Sequence, residues 1–216
     1  MANEALLRFA DVTFNYGVKK PILDEVNLSL RKGSKYTLMG QNGAGKSTIF
    51  GLILGEHEAI SGSITTPPGV SIAIARQTMP KEVYELSIRD YLEQCITKGE
   101  KGKRVYDIDP KAAKILEVVG LKLSIDVLVK DLSGGQGARL LLAGALIQNP
   151  DILLLDEPTN NLDKNGIAHL TQFLIGYRKT CIVISHDADF LNAFTEGVLY
   201  LDIFTRKIEK YVGNYF

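Results

Sequence analysis

An α/β fold built on a mostly parallel, buried sheet is the architecture this sequence predicts, and three observations predict it. Ile152-Leu153-Leu154-Leu155 and Cys181-Ile182-Val183-Ile184 are continuous apolar runs, the pattern of strands covered on both faces. Such runs alternate with helix-length stretches near 135–148 and 164–176. A glycine-rich turn, Gly40 to Gly45, leads from a short apolar strand into a helix.

Taken in order, Leu6 to Phe14 and Val26 to Leu30 show strand-like alternation and are separated by Tyr16-Gly17 and Pro21. Tyr36 to Met39 is the strand before the turn. The helix after it runs from Lys46 to about Leu54, with Gly55 placed to end it. Ile64 and Ile72 to Ala75 mark two more strands, with Pro67-Pro68-Gly69 as their turn. From about Met79 to Asp131 the texture is helical. Ile88, Tyr91, Leu92 and Cys95 fall at i, i+3, i+4 and i+7, and Asp109-Pro110 reads as an N-cap with proline at N1, opening a helix through Val118. The alternation then returns: a helix near 135–148, a strand at 152–155, a helix near 164–176, a strand at 180–184 and a helix from about Asp187. Strands at Val198 to Leu201 and Ile208 to Val212 close the pattern. Residues 79–131 therefore read as an inserted helical lobe, and no internal repeat or low-complexity segment is present.

The chain of 216 residues is long enough for one large α/β domain with a sizeable core. Lys+Arg and Asp+Glu both count 25, so any grip on nucleic acid must be local rather than spread along the chain. Two lone cysteines, Cys95 and Cys181, form no disulfide framework and suit a reducing compartment, with Cys181 expected as a buried thiol. The start, Met1-Ala2-Asn3-Glu4, lacks the basic-then-apolar pattern of a signal peptide, and no apolar run approaches the ~20 residues of a bilayer span. The expectation is a soluble, cytoplasmic chain.

Three segments carry chemistry. Gly40-Gln41-Asn42-Gly43-Ala44-Gly45-Lys46-Ser47 fits G-x-x-x-x-G-K-[ST] between a strand and a helix. Gly43 and Gly45 let successive N–H groups turn onto phosphate oxygens, and the helix N-terminus favours an anion. Lys46 is expected on the β- and γ-phosphates, with Ser47 on Mg²⁺. The second segment is the strand end Asp156-Glu157-Pro158. Ligands sit at such ends, where Asp156 is placed to hold Mg²⁺ and Glu157 to orient or deprotonate an attacking water. The third, Leu132-Ser133-Gly134-Gly135-Gln136, satisfies a capping box through Ser133 and Gln136. A capping box leaves Gly134 and Gly135 unexplained, because glycine weakens a first helical turn. Both glycines would let another module's phosphate approach exposed N–H groups.

Other positions stay open on the residues alone. His186, after Ile184-Ser185, is either structural or a hydrogen-bond partner of a γ-phosphate. Gln77 is either an exposed loop residue or a contact to Mg²⁺ or water, and Tyr16 either a hairpin aromatic or a stacking platform for adenine. His57 and His169 are assigned to a surface loop and a helix face. The basic run Lys98 to Arg104 reads as a solvated connection.

Together these segments resemble the ATP-binding cassette family along nearly the whole chain. Tyr16, Gly40 to Thr48, Gln77, Leu132 to Gln136, Ile152 to Glu157, Asp163 and His186 match, in that order, its aromatic loop, Walker A, Q-loop, signature, Walker B, D-loop and switch histidine. Glu157-Pro158-Thr159-Asn160-Asn161-Leu162-Asp163, Ser185-His186-Asp187-Ala188-Asp189-Phe190-Leu191 and the tail Tyr211 to Tyr215 are similar to the ABC-F branch. Asn161 departs from it, standing where that branch commonly has histidine.

The resemblance implies a P-loop ABC-type cassette over 1–216, with 1–78 and 132–216 forming the core and 79–131 the helical lobe. An antiparallel β subdomain would lie at the N-terminus. It implies ATP with Mg²⁺ as ligands, the matching residues including Thr48 and Asp163 as nucleotide contacts, and ATP hydrolysis. A second cassette would face this one, each ATP lying between one module's Walker A and the other's signature. Branch members carry two cassettes, lack membrane domains and act on ribosomes, some in antibiotic resistance. Ribosome, rRNA or tRNA are therefore expected partners of the full-length protein, of which this chain would be the first cassette. The other readings are a nucleotide-binding subunit of a membrane transporter, which needs a groove in the 79–131 lobe for a coupling helix, and a non-hydrolysing regulatory clamp.

Overall fold

The computed structural model describes residues 5–17, 21–99 and 108–213. Part of the basic run at 98–104 and the end of the Tyr211 to Tyr215 tail lie outside them. In chain order the elements are β1 (Ala5–Asn15), β2 (Pro21–Arg31), β3 (Lys35–Gly40), α1 (Lys46–Ile53), β4 (Ser61–Thr65) and β5 (Ile72–Ala75). Then come α2 (Ile88–Gly99), α3 (Asp109–Val118), α4 (Gly134–Leu146), β6 (Ile152–Asp156), α5 (Lys164–Gly176), β7 (Thr180–Ile184), α6 (Ala188–Phe194), β8 (Gly197–Leu201) and β9 (Ile208–Val212). Two compact units divide them: Met1–Val70 with Arg178–Phe216, and Ser71–Tyr177.

In the first unit β1 pairs antiparallel with β2 and with β4. This is the expected N-terminal antiparallel subdomain. Leu7, Phe9, Val12, Leu23, Val26 and Leu30 are all buried along these strands, as the alternation requires. Register shifts fall around Val12, beside Asp11 and opposite Glu25, which take left-handed φ of 50° and 45°. Asn27 bridges that irregularity, its Nδ2 donating to Asp11 Oδ1 at 2.7 Å. The same unit holds the other sheet segment: β3 runs parallel to β7 and to β8, and β9 returns antiparallel on β8. Fully buried Thr180 ties the entry to β3, accepting from the Gly33 N–H at 2.9 Å and donating to Arg31 O.

The second unit pairs β5 parallel with β6, and α2, α3, α4 and α5 pack in the same unit. Asp151 Oδ2 accepts from both N and Oγ of Ser71, which sets that register. Ile152 to Leu155 are wholly buried, as the unbroken apolar run predicts.

Ile64 and Ile72 to Ala75 are strands and Pro67-Pro68-Gly69 turns between them, Val70 N donating to Pro67 O at 3.3 Å, yet the two strands are not partners: β4 joins β1 and β5 joins β6. Hydrophobic pattern fixes which face of a strand is buried, not which neighbour it finds. Asp109 is not the N-cap of α3. Ile108 holds that place with no side-chain cap, because the Asp109 carboxylate is drawn instead to the Arg89 guanidinium, which also meets Asp126 at 3.3 Å.

Candidate nucleotide site

The turn after β3 is built for an anion. Gly40, Gly43 and Gly45 take φ of 150°, 80° and 107°. At Gly45 a Cβ would come within 2.2 Å of the Ile22 Cγ2 methyl, so both backbone and space demand glycine. Gly45 is also the N-cap of α1, and it supplies no side-chain acceptor to the N–H groups of the first turn. By contrast α4, α5 and α6 each have a side-chain cap, from Ser133, Asp163 and Asp187. With no acidic residue in its first turn, α1 presents its donors and its positive end to an outside anion. Lys46 Nζ folds back onto Gly40 O at 2.8 Å and Gln41 O at 3.2 Å, which keeps the cation over the loop. Asn42, Gly43 and Ser47 are exposed, Gly40, Gly45 and Lys46 half-buried, and Ala44 and Thr48 buried.

Tyr16 stands beside this loop in the same unit. Its hydroxyl lies 3.2 Å from Thr48 Oγ1 and 3.2 Å from His57 Nε2. His57 was expected on a surface loop, but it is half-buried. Its ring fills the space left by the missing side chain of Gly51, where a Cβ would come within 2.5 Å of the imidazole. His186, exposed, follows β7 in this unit, two residues before α6.

The remaining candidates belong to the second unit. Asp156 is the last residue of β6 and Glu157 follows it. Glu157 has φ of 50°, a left-handed conformation rare for a residue with a side chain and one that costs of order 1–2 kcal/mol. Strain of this kind collects at functional sites, where the surrounding structure enforces it. The capping box on α4 is complete: Gln136 N donates to Ser133 Oγ and Ser133 N to Gln136 Oε1. Ser133 and Gly134 are exposed and Gly135 and Gln136 half-buried, and a Cβ at Gly134 would meet nothing within 4 Å. Gln77, exposed after β5, shares with Tyr84, Lys130, Ser133, Gly134 and Asn161 a groove of ≈ 300 Å³.

Asp163 caps α5, accepting from the Gly166 N–H at 2.8 Å, and pairs with Arg139 at 2.7 Å. That backbone hydrogen bond, with the guanidinium beside it, holds its carboxyl below the usual carboxylate range. Arg139 was missed in the sequence. It also donates to Gly120 O at 2.7 Å, so it joins α4, the turn after α3 and the start of α5. The available signal was that Arg139 is the one charged residue in α4.

A strand-to-helix phosphate loop, an acidic strand end and a capped, glycine-rich signature helix define the class: a P-loop nucleotide-binding cassette. The ABC transporter family matches residues 23–160, and the chain belongs to it, as an ATP-binding cassette. The uncharacterised ABC transporter ATP-binding protein YkpA of Bacillus subtilis is 35% identical over 99% of this chain and 43% of its own length. The ATP-binding protein Uup of Buchnera aphidicola is 33% identical over 98% of this chain and 33% of its own length. Relatives of this kind support the lean toward the ABC-F branch, and the chain spans less than half of either. The zinc import ATP-binding protein ZnuC of Marinobacter nauticus is 34% identical, over 92% of this chain and 75% of its own length. Among solved structures, the dimeric post-hydrolysis state of the ATP-binding cassette MJ0796 bound to ADP and Pi superposes with TM-score 0.83. It is 23% identical and covers 97% of this chain and all of that one, a likeness of fold.

Proposed function

We propose that this chain is an ATP-hydrolysing cassette of a cytoplasmic ABC-F factor that acts on the ribosome together with a second cassette. The observation that carries ATP binding is the N-terminus of α1, with no side-chain cap and no acidic residue in its first turn, beneath a loop of left-handed glycines. Lys46 neutralises β- and γ-phosphate charge, exchanging two carbonyl acceptors for phosphate oxygens. Gly40, Asn42, Gly43, Ala44, Gly45 and Thr48 contribute backbone or hydroxyl contacts, and Tyr16 offers its ring to the base.

Mg²⁺ fits this set of donors. Magnesium is ordinarily held by one or two carboxylates plus substrate phosphates rather than by an all-protein cage. Ser47, Asp156 and Gln77 are the ligands proposed, and the bound ion would offset phosphate charge. Glu157 orients and deprotonates the attacking water, and His186 hydrogen-bonds the γ-phosphate. Ser133, Gly134, Gly135, Gln136 and Asp163 serve the nucleotide of the facing cassette. In this reading ATP binding closes the pair and hydrolysis reopens it, because a ligand shifts a conformational equilibrium by its differential affinity.

Calorimetry and phosphate release test the enzymatic part. Wild type binds Mg·ATP, and Lys46→Ala weakens it on the order of 100-fold, the scale of losing charge-assisted phosphate contacts. An unchanged dissociation constant in that variant refutes the loop assignment. Sedimentation of the full-length protein with ribosomes in the presence of ATP tests the cellular part.

A membrane-transporter subunit is the second reading. The zinc-import relative and the groove beside Gln77 favour it, since a coupling helix needs such a groove. Among the described residues no helix is long and apolar enough to cross a membrane. Co-purification with a membrane protein, and no ribosome sedimentation, would decide for it.

A further inference from the structure

We propose that His57 is a positioning residue for the nucleotide base. Acting through the Tyr16 hydroxyl, it fixes the aromatic ring at a set place relative to the phosphate loop. This rests on the nucleotide-binding reading of Tyr16 and Gly40 to Thr48 given above.

The Tyr16 hydroxyl is the junction. It meets Thr48 Oγ1 in the first turn of α1 and His57 Nε2 beyond the end of that helix, both at 3.2 Å. A phenol has one proton and accepting lone pairs, so it can give one of these bonds and take the other. Either imidazole tautomer completes the chain: Nε2 accepts from Tyr16 in one and donates to it in the other. The ring that would carry the base is thus pinned to the helix that would carry the phosphates.

Ring packing adds a second restraint. Phe14, itself buried, meets Tyr16 edge-on with centroids 5.0 Å apart at 88°, and His57 meets it at 5.7 Å and 86°. Phe14 and His57 also contact each other, with centroids 5.5 Å apart. Tyr16 nonetheless keeps 47% of its surface exposed, which leaves room for a stacking partner. The seat of the imidazole is specific as well. Gly51 on α1 is the position it packs against, and any side chain there would collide with it. Restraining the platform before binding removes an ordering cost that a free aromatic side chain would pay on binding.

A purely structural histidine would affect every ligand of the phosphate loop alike, whereas a positioning one affects only ligands that carry a base. The experiment is calorimetry of the full chain with Mg²⁺ and either ATP or inorganic tripolyphosphate. His57→Phe keeps an aromatic filler and removes Nε2, and Tyr16→Phe keeps the ring and removes the hydroxyl. His57→Phe should weaken ATP about 3- to 10-fold, the range of one ordinary hydrogen bond, with tripolyphosphate affinity unchanged within about 2-fold, and Tyr16→Phe, which loses the bond to Thr48 as well, should weaken ATP at least as much. His57→Gln, which restores a polar end, should recover most of the loss. Tripolyphosphate binding doubles as the check that each variant is folded. Unchanged ATP affinity in His57→Phe overturns the proposal, and so does an equal loss for both ligands. If wild type binds neither ligand, the nucleotide reading itself has failed and this inference falls with it. If wild type binds both equally, Tyr16 contributes nothing to the base.

Discussion

Glu157 is where the backbone and the chemistry pull against each other. Its φ of 50° is unfavourable for a side-chain-bearing residue, and the position directly follows a strand that is buried through Leu155 and fixes where the chain must turn. The strain and the carboxylate can be separated by two substitutions. Glu157→Gln keeps the side-chain shape and the strained φ but loses the carboxylate. Glu157→Gly loses the carboxylate and relieves the strain. Both should bind ATP and lose most turnover, yet the glycine variant should resist unfolding better than the glutamine variant by about 1 kcal/mol. Urea denaturation reads that difference, and equal midpoints would show that the turn costs nothing. Neither the φ of Glu157 nor the half-buried seat of His57 was legible in the sequence. The first depends on how β6 ends, and the second on an absent side chain six residues away at Gly51. Gly43, Gly45 and Lys46 were legible because their demands are local: left-handed turns, a helix start and a cation within one loop.

At the scale of elements, the capped N-termini of α4 and α5 are linked through Arg139, which reaches from α4 to the Asp163 cap of α5. Asp163 carries the clearest pH dependence. Its carboxyl is held low in the folded chain, chiefly by the Gly166 N–H and then by Arg139, so the unfolded chain binds the proton more readily. The resulting stability is present above the ordinary aspartate pKa and drains away as pH falls through the depressed one. Asp163→Asn keeps a good N-cap that does not titrate. Its melting temperature should therefore fall less steeply than that of wild type between neutral pH and the acid end of the carboxylate range. Parallel profiles would mean that the cap and the ion pair contribute nothing to acid sensitivity. The capping box of α4 was readable from Ser133 and Gln136 because its rule spans three residues. The misplaced cap of α3 was not, because Arg89, which takes the Asp109 carboxylate, lies twenty residues earlier. The β4 and β5 pairings escaped for the same reason: their partners are set by the whole fold.

For the whole molecule, the decisive question is whether one chain completes a catalytic site. It has one phosphate loop and one signature, and the signature glycine Gly134 faces open space, with Ser133 exposed at the helix start. If two cassettes oppose each other, each site takes its phosphate loop from one copy and its signature from the other, as an isologous pair requires. Complementation tests this at protein concentrations where wild type turns over ATP. Lys46→Ala destroys the loop and spares the signature, while Ser133→Arg spares the loop and blocks the signature. Alone, each variant forms pairs in which every site carries one defect. Mixed equally, half of the pairs are hybrids, and each hybrid holds one site with neither defect, so turnover should return to about a quarter of wild type. A mixture as inactive as its components would rule out self-pairing as the route to activity and point to a distinct second cassette. Full turnover by Ser133→Arg alone would show that the signature plays no part, and the opposed arrangement would have to be abandoned.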